Sequence, residues 1–301
     1  MIEAALQHGA KLTPRQFSGI LNVPVVGDVY YVHSGTGSNT AHNGLNPSTP
    51  FATVATAITA ATANNNDVIL IMPGHAETVT TAIGMSKAGV SLIGVGNGLR
   101  IPAITGNAAI DVINVTGANC LIENINFPAP LTDAATADIN IAAAGVTIRN
   151  TRHLGSVATE NKVDIITVTA AGDDFLIEGT KMYNTVVDCV AAISVEGACA
   201  RGVIRNNVIQ GQFSTGVLMD EATATLLTIN DNVFKNTKAA TAVVTFTTGN
   251  STGVMHRNFC SGRHTTIASN IVPGTGMDFN QNFVVEEAAL NGILIPVADA
   301  D

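Results

Sequence analysis

The stretch GVIRNNVIQG, Gly202 to Gly211, decides the fold, because variants of it return along the chain. CLIENINF (Cys120–Phe127), GVTIRNTRHLG (Gly145–Gly155) and FLIEGTKM (Phe175–Met182) precede it. TINDNVFKN (Thr228–Asn236), GVMHRNFCSG (Gly253–Gly262) and MDFNQNFV (Met277–Val284) follow. Each sets an apolar residue before a polar one, then in most cases an Asn or small polar residue, then a second strand-like run. The leading apolar residues are Ile122, Ile148, Ile177, Ile204, Ile229, Met255 and Phe279, spaced 26, 29, 27, 25, 26 and 24 apart. A second column, Ile113, Ile139, Ile166, Ile193, Leu218, Val244, Ile267 and Ile293, is spaced 26, 27, 27, 25, 26, 23 and 26. Two strand columns sharing one period describe a coil of about 26 residues with at least two strands per turn.

No long amphipathic pattern separates these short runs, which excludes α/β units, and a leucine-rich consensus is absent. The expected fold is therefore all-β, a right-handed parallel β-helix. Nine or so coils stacked at about 4.8 Å give a rod roughly 40 Å long. DVILIMPG (Asp67–Gly74) and GVSLIGVGNG (Gly89–Gly98) supply the first coils. The expected order is an arm or docking segment at 1–28, a lead-in with a capping helix at 29–66, coils over 67–286, and a strand with an acidic tail at 287–301. Pro50 and Phe51 introduce the capping helix, with Val54, Ile58 and Ala61 at helical spacing and Asn64–Asn66 as the stop.

Stacking explains the recurring Asn. Asn124, Asn150 and Asn206 fall in one column, with Gly179 in the gap, and Asn207, Asn232, Asn258 and Asn282 fall one position later. Asn at a turn tolerates left-handed backbone and hydrogen-bonds along a ladder, so these residues are expected to be structural. Glu123, Arg149, Glu178 and Arg205 follow the leading Ile and should form an outward charge ladder that pins register.

Of the 301 residues 46% are hydrophobic and only 12% charged, too apolar for disorder. A net charge of −9 argues against nucleic acid as a partner. No apolar run approaches a membrane span, and MIEAALQHGAKL is unlike a secretory signal. Cys120, Cys189, Cys199 and Cys260 lack zinc spacing and read as buried free thiols of a protein made in a reducing cytoplasm.

Candidate chemistry is thin. Asp111, Asp138 and Asp164, spaced 27 and 26, could stack as a Ca²⁺ site; the simpler expectation is carboxylates splayed into water at strand starts. His75 and Glu77 could pair on a metal or form the turn after Pro73–Gly74. No cofactor is expected. TVVDCVAAIS (Thr185–Ser194), with GDD at Gly172–Asp174, resembles the aspartate-bearing strand of polygalacturonases but has Val187 and Asp188 where that strand carries a double Asp. No opposed carboxylate pair of the glycosidase kind is evident. The chain has no Trp and three Tyr, few platforms for stacking sugar rings. The expectation is a protein without catalytic residues.

The stretch YYVHSGTGSNTAHNGLNPSTPFATVATAITAATANNNDVILIMPGHAET, with GVSLIGVGNG and the closing NGILIPVADAD, resembles a group of tailed-bacteriophage virion proteins with a pectin-lyase-like β-helix. The resemblance implies a structural role on the particle, as a decoration or cement protein on the capsid exterior. It also implies a homotrimer that contacts the major capsid protein and is made in the host bacterial cytoplasm. The alternatives are a tailspike or tail fibre that binds or degrades host polysaccharide, and a free polysaccharide lyase or hydrolase. A tailspike needs a tail-attachment domain, for which about 28 residues leave little room. Leu6, Leu12, Phe17, Ile20, Leu21 and Val23 of the arm are the candidate contacts with the shell or a sister subunit.

Overall fold

The structure is a computed structural model that describes residues 26–131, 135–156, 162–186, 189–246, 248, 250–264, 269–286 and 295–296. It is an all-β parallel solenoid of about eight full turns, with three strands in most turns. Sheet I has ten strands, beginning with β1 (Val29–Val32) and ending with Gly276–Asn280. Sheet II has ten, from Ala76–Val79 to Ile295–Pro296, and sheet III eight, from Ile83–Met85 to Ile271–Val272. Each middle coil runs from sheet I around a sharp corner to sheet II, on to sheet III, and back. Every pairing within the three sheets is parallel except the last, where Phe283 faces Pro296 in an antiparallel edge. β1 already pairs in register with Val68–Ile71, so sheet I begins inside the lead-in, ahead of the helix.

The interior is built from columns. In sheet I, Ile122, Ile148, Ile177, Ile204, Ile229 and Met255 are fully buried, and Phe279 is partly buried against the same core. In sheet III, Ile113, Ile139, Ile166, Ile193, Leu218 and Val244 pair in register and are buried. The next member is Ile271, which pairs with Val244, where a spacing of 23 pointed to Ile267. Counted to Ile271, the spacing from Val244 is 27, in line with the other coils. Ile267 and Ile293 lie outside the described residues. Sheet II adds a third inward column that the two-column reading lacked: Ile104, Phe127, His153, Met182, Ile209, Phe234, Cys260 and Val284.

Two left-handed residues per coil make the corners. Between sheets I and II they are Asn124, Asn150, Gly179, Asn206, Asp231, Arg257 and Gln281, with φ between 53° and 64°. Between sheets III and I they include Gly89, Asn119, Gly145, Asp174, Arg201 and Leu226. The residue after each first corner turns inward. There Asn207, Asn232, Asn258 and Asn282 form a buried ladder, each Nδ2 donating to the next Oδ1 at 3.0, 2.8 and 2.9 Å. Each Asn Nδ2 also donates to a carbonyl one coil back, from Ile177 to Met255. Thr180 closes one end, its N–H and hydroxyl both donating to Asn207 Oδ1 at 3.0 and 2.8 Å.

Helix α1 (Val54–Ala60) packs Val54, Ala57 and Ile58 into the first coils. Covering that edge removes an exposed row of strand groups. Asn64 and Asn66 follow in left-handed conformation, before Val68–Ile71. The four cysteines are free and buried, and burial raises their thiol pKa values. No helix among the described residues is long and apolar enough to cross a membrane.

Candidate functional site

The three aspartates proposed as a stack do not form one. Ala137 pairs with Asp111 on one side and the register places Asp164 on the other, so Asp138 lies one position off their column. Asp138 and the next residue, Ile139, are both buried, so strict alternation is broken at the start of this strand. Its own column otherwise holds Val112, Ile165, Ala192, Val217 and Val243, all buried. Asp111 accepts a 2.7 Å hydrogen bond from Thr136. Asp164 accepts one from the Ala191 N–H at 2.9 Å. Asp138 and Asp164 are 1% and 4% exposed, so they are not splayed into water either. Burial pushes the Asp164 carboxyl up to about 7, and the nearby Glu196 and Glu221 add to the shift.

Around Asp138 the structure assembles a polar cluster inside an apolar tube. His153 occupies the sheet II column between Phe127 and Met182 and stacks on the Phe127 ring at 4.8 Å. Its Nδ1 lies 2.9 Å from Asp138 Oδ2 and its Nε2 lies 2.9 Å from Thr151 Oγ1. Lys162 enters from the connection before the next strand of sheet III. Its Nζ is 2.6 Å from Asp138 Oδ1 and 2.7 Å from Oδ2. It also donates to the carbonyls of Leu154 and Pro128 at 2.8 and 3.2 Å. Lys162 and Asp138 are each 1% exposed, and Thr151 is fully buried. Burial lowers the His153 pKa, opposed in part by Asp138. His153 and Lys162 were missed in the sequence. The available signal was a His and an Asp standing where neighbouring coils carry apolar residues.

The remaining candidates are corner chemistry. His75 Nδ1 accepts from the Ser34 N–H at 3.0 Å, and Nε2 lies 3.2 Å from Glu77. Glu77 in turn accepts from Val54 N–H at the start of α1, so the pair ties the cap to the first coil. Among the described residues no group of three or more His, Cys, Asp or Glu could hold a metal ion. Arg149 meets Glu123 at 2.7 Å and Arg205 meets Glu178 at 2.8 Å, two inter-coil pairs within the expected charge ladder. Arg201–Asp174 and Arg257–Asp231 repeat the device at the left-handed positions. Asp188 and the arm residues Leu6, Leu12, Phe17, Ile20, Leu21 and Val23 lie outside the described residues.

The outer face of sheet II offers two surfaces. A cleft of about 310 Å³ is lined by Tyr183, Gln210, Gln212, Lys235 and Thr237 among others. Beside it Val208, Val233, Phe259 and Phe283 pair in register on four successive coils. All four are 40–46% exposed, so they form one continuous apolar stripe.

No protein-family model matches the sequence, and no curated protein does. Two solved structures are similar. A rhamnogalacturonan lyase aligns over 75% of this chain and 87% of its own, at 12% identity and a TM-score of 0.38. A pectate lyase aligns over 84% of this chain and 74% of its own, at 13% identity and a TM-score of 0.41. Alignments this loose add nothing to the parallel β-helix that the strand pairing already shows. At such identity neither activity nor site residues transfer.

Proposed function

We propose that this chain is a non-enzymatic structural component of a tailed-phage virion, a decoration or cement protein that stands on the capsid exterior as a trimer. The observation that carries the reading is the apolar stripe of Val208, Val233, Phe259 and Phe283. An exposed apolar ladder spanning four coils suits a partner of the same length and pitch, which a second copy of the rod supplies. The buried Asn ladder and the inter-coil Arg–carboxylate pairs support the same reading, since they commit polar groups to stiffness and register. The virion assignment rests on the resemblance in the first hundred residues.

The test uses the full chain with heads of the phage that encodes it, prepared without this protein. Saturable co-sedimentation with heads, and density outside the shell by electron cryo-microscopy, are expected. The free chain should sediment as a trimer, and a Val233→Lys, Phe259→Lys double variant as a folded monomer. Binding to tails but not heads would overturn the location. A wild-type monomer would overturn the role of the stripe.

A further inference from the structure

We propose that Asp138 and Lys162 condense to an intramolecular amide, a covalent cross-link between two successive coils. The two residues come from neighbouring turns, and the backbone bridge between Ala135 and Lys162 holds those turns together at this point. Lys162 Nζ touches both Asp138 oxygens, at 2.6 and 2.7 Å, with both side chains 1% exposed. This is the geometry of reactants held in contact without solvent, the condition under which intramolecular reactions gain most.

Each further contact suits the reaction. Moving one proton across the 2.7 Å contact to Oδ2 turns ammonium and carboxylate into amine and acid, and a dry interior favours that exchange because no charge is then held away from water. The amine keeps two N–H groups, and two backbone carbonyls, of Leu154 and Pro128, lie ready to accept them. That leaves the nitrogen lone pair on the side of the Asp138 carboxyl, whose two oxygens Nζ touches. Attack forms the N–C bond, and Oδ2 departs as water. His153 Nδ1 sits 2.9 Å from Oδ2, placed to give a proton to the departing oxygen and to regain the one released by nitrogen. Thr151 Oγ1 at His153 Nε2 and the Phe127 ring fix the orientation of the imidazole. Burial keeps His153 neutral, so it can both donate and accept. The atoms balance as acid plus amine giving amide plus water, with no oxidant, metal or co-reactant. Expulsion of the water from an apolar core opposes the reverse reaction.

Intact-mass measurement of the denatured full chain tests the proposal. The wild type should be lighter than its sequence by one water. A tryptic digest should leave Lys162 uncut and yield a branched peptide joining it to the segment that carries Asp138. Lys162→Arg and Asp138→Ala should both have their full sequence masses. His153→Phe, which fills its column as Phe127 does, should retain a fraction at full mass that the wild type lacks. A wild-type chain at full mass that trypsin cuts after Lys162 would overturn the proposal, whatever the variants do. So would a water loss that maps to a cyclised aspartate elsewhere, or one that survives Lys162→Arg.

Discussion

Asn206 and Asn207 are neighbours of the same type with opposite duties, and replacing each in turn tests the account of the corner. Asn207 is fully buried. Its Oδ1 accepts from the Thr180 N–H and hydroxyl, and its Nδ2 donates to the Ile177 carbonyl and to Asn232 Oδ1. Asn207→Leu keeps the branched heavy-atom shape but leaves the Thr180 N–H, the Thr180 hydroxyl and the Ile177 carbonyl without those partners. Asn232 Oδ1 still accepts from the backbone N–H of residue 207. At about 1–3 kcal/mol for each orphaned buried group, with relief as Thr180 rotates, the loss is roughly 3–6 kcal/mol. Asn206 is exposed with φ 55°, a conformation that costs glycine nothing, so Asn206→Gly should lie within about 0.5 kcal/mol of wild type. Guanidinium unfolding followed by circular dichroism gives both values. Hydrogen exchange at Thr180 should quicken only in Asn207→Leu. If Asn207→Leu costs less than about 1 kcal/mol, or if Asn206→Gly costs as much, the buried ladder is not what holds this corner.

Two further outcomes follow from the interior. The Asp164 carboxyl is raised from 3.8 to about 7, so the folded state binds its proton more tightly than the unfolded chain. Its contribution is therefore fully present below pH 4 and lost as pH rises through 7, with a ceiling of about 4 kcal/mol. Asp164→Asn should remove that slope, and unfolding midpoints at pH 5 and pH 8 that fall as steeply as in wild type would refute the assignment. A Cβ added at Gly202 would stand 2.1 Å from the Phe175 ring, so Gly202→Ala should destabilise by about 1–3 kcal/mol. Adding Phe175→Leu should recover part of that loss in thermal melts; an additive second loss would show that the ring is not the obstacle.

The architecture was legible because a solenoid repeats its environment. The Ile122 and Ile113 columns carry the same residue type at the same depth coil after coil, and their spacing alone exposed the turn length. The third strand per turn was harder to read. Its column runs Phe127, His153, Met182, Ile209, Phe234, Cys260, with no residue type repeated from one coil to the next. The corner between sheets III and I was obscured in the same way. Asn119 and Gly145 are ordinary left-handed residues, but Arg201 and Leu226 share the conformation only because the stacked coil imposes it.

The aspartates show how an internal check can correct a pattern. A spacing of 27 from Asp111 to Asp138 looks like one period, but Ile113 and Ile139 on the same two strands are 26 apart. The Ile column fixes the register, because slipping it would turn every apolar side chain of the strand away from the core. Asp138 therefore falls beside Val112, and at this strand start that position is buried along with the Ile139 column, which takes the carboxylate out of water. The strand columns thus show that Asp138 needs a partner, whether a hydrogen-bond donor as at Asp164 or a base. They do not identify it, since Lys162 comes from a connection whose path has no period. That connection brings Lys162 Nζ and His153 Nδ1 to the same carboxylate, each within 2.9 Å. A carboxylate needed only for packing would have been replaced at little cost by the Val, Ile or Ala of its neighbours. Two buried basic groups on one buried acid give this coil a chemistry its neighbours lack, and the mass of the intact chain reads it directly.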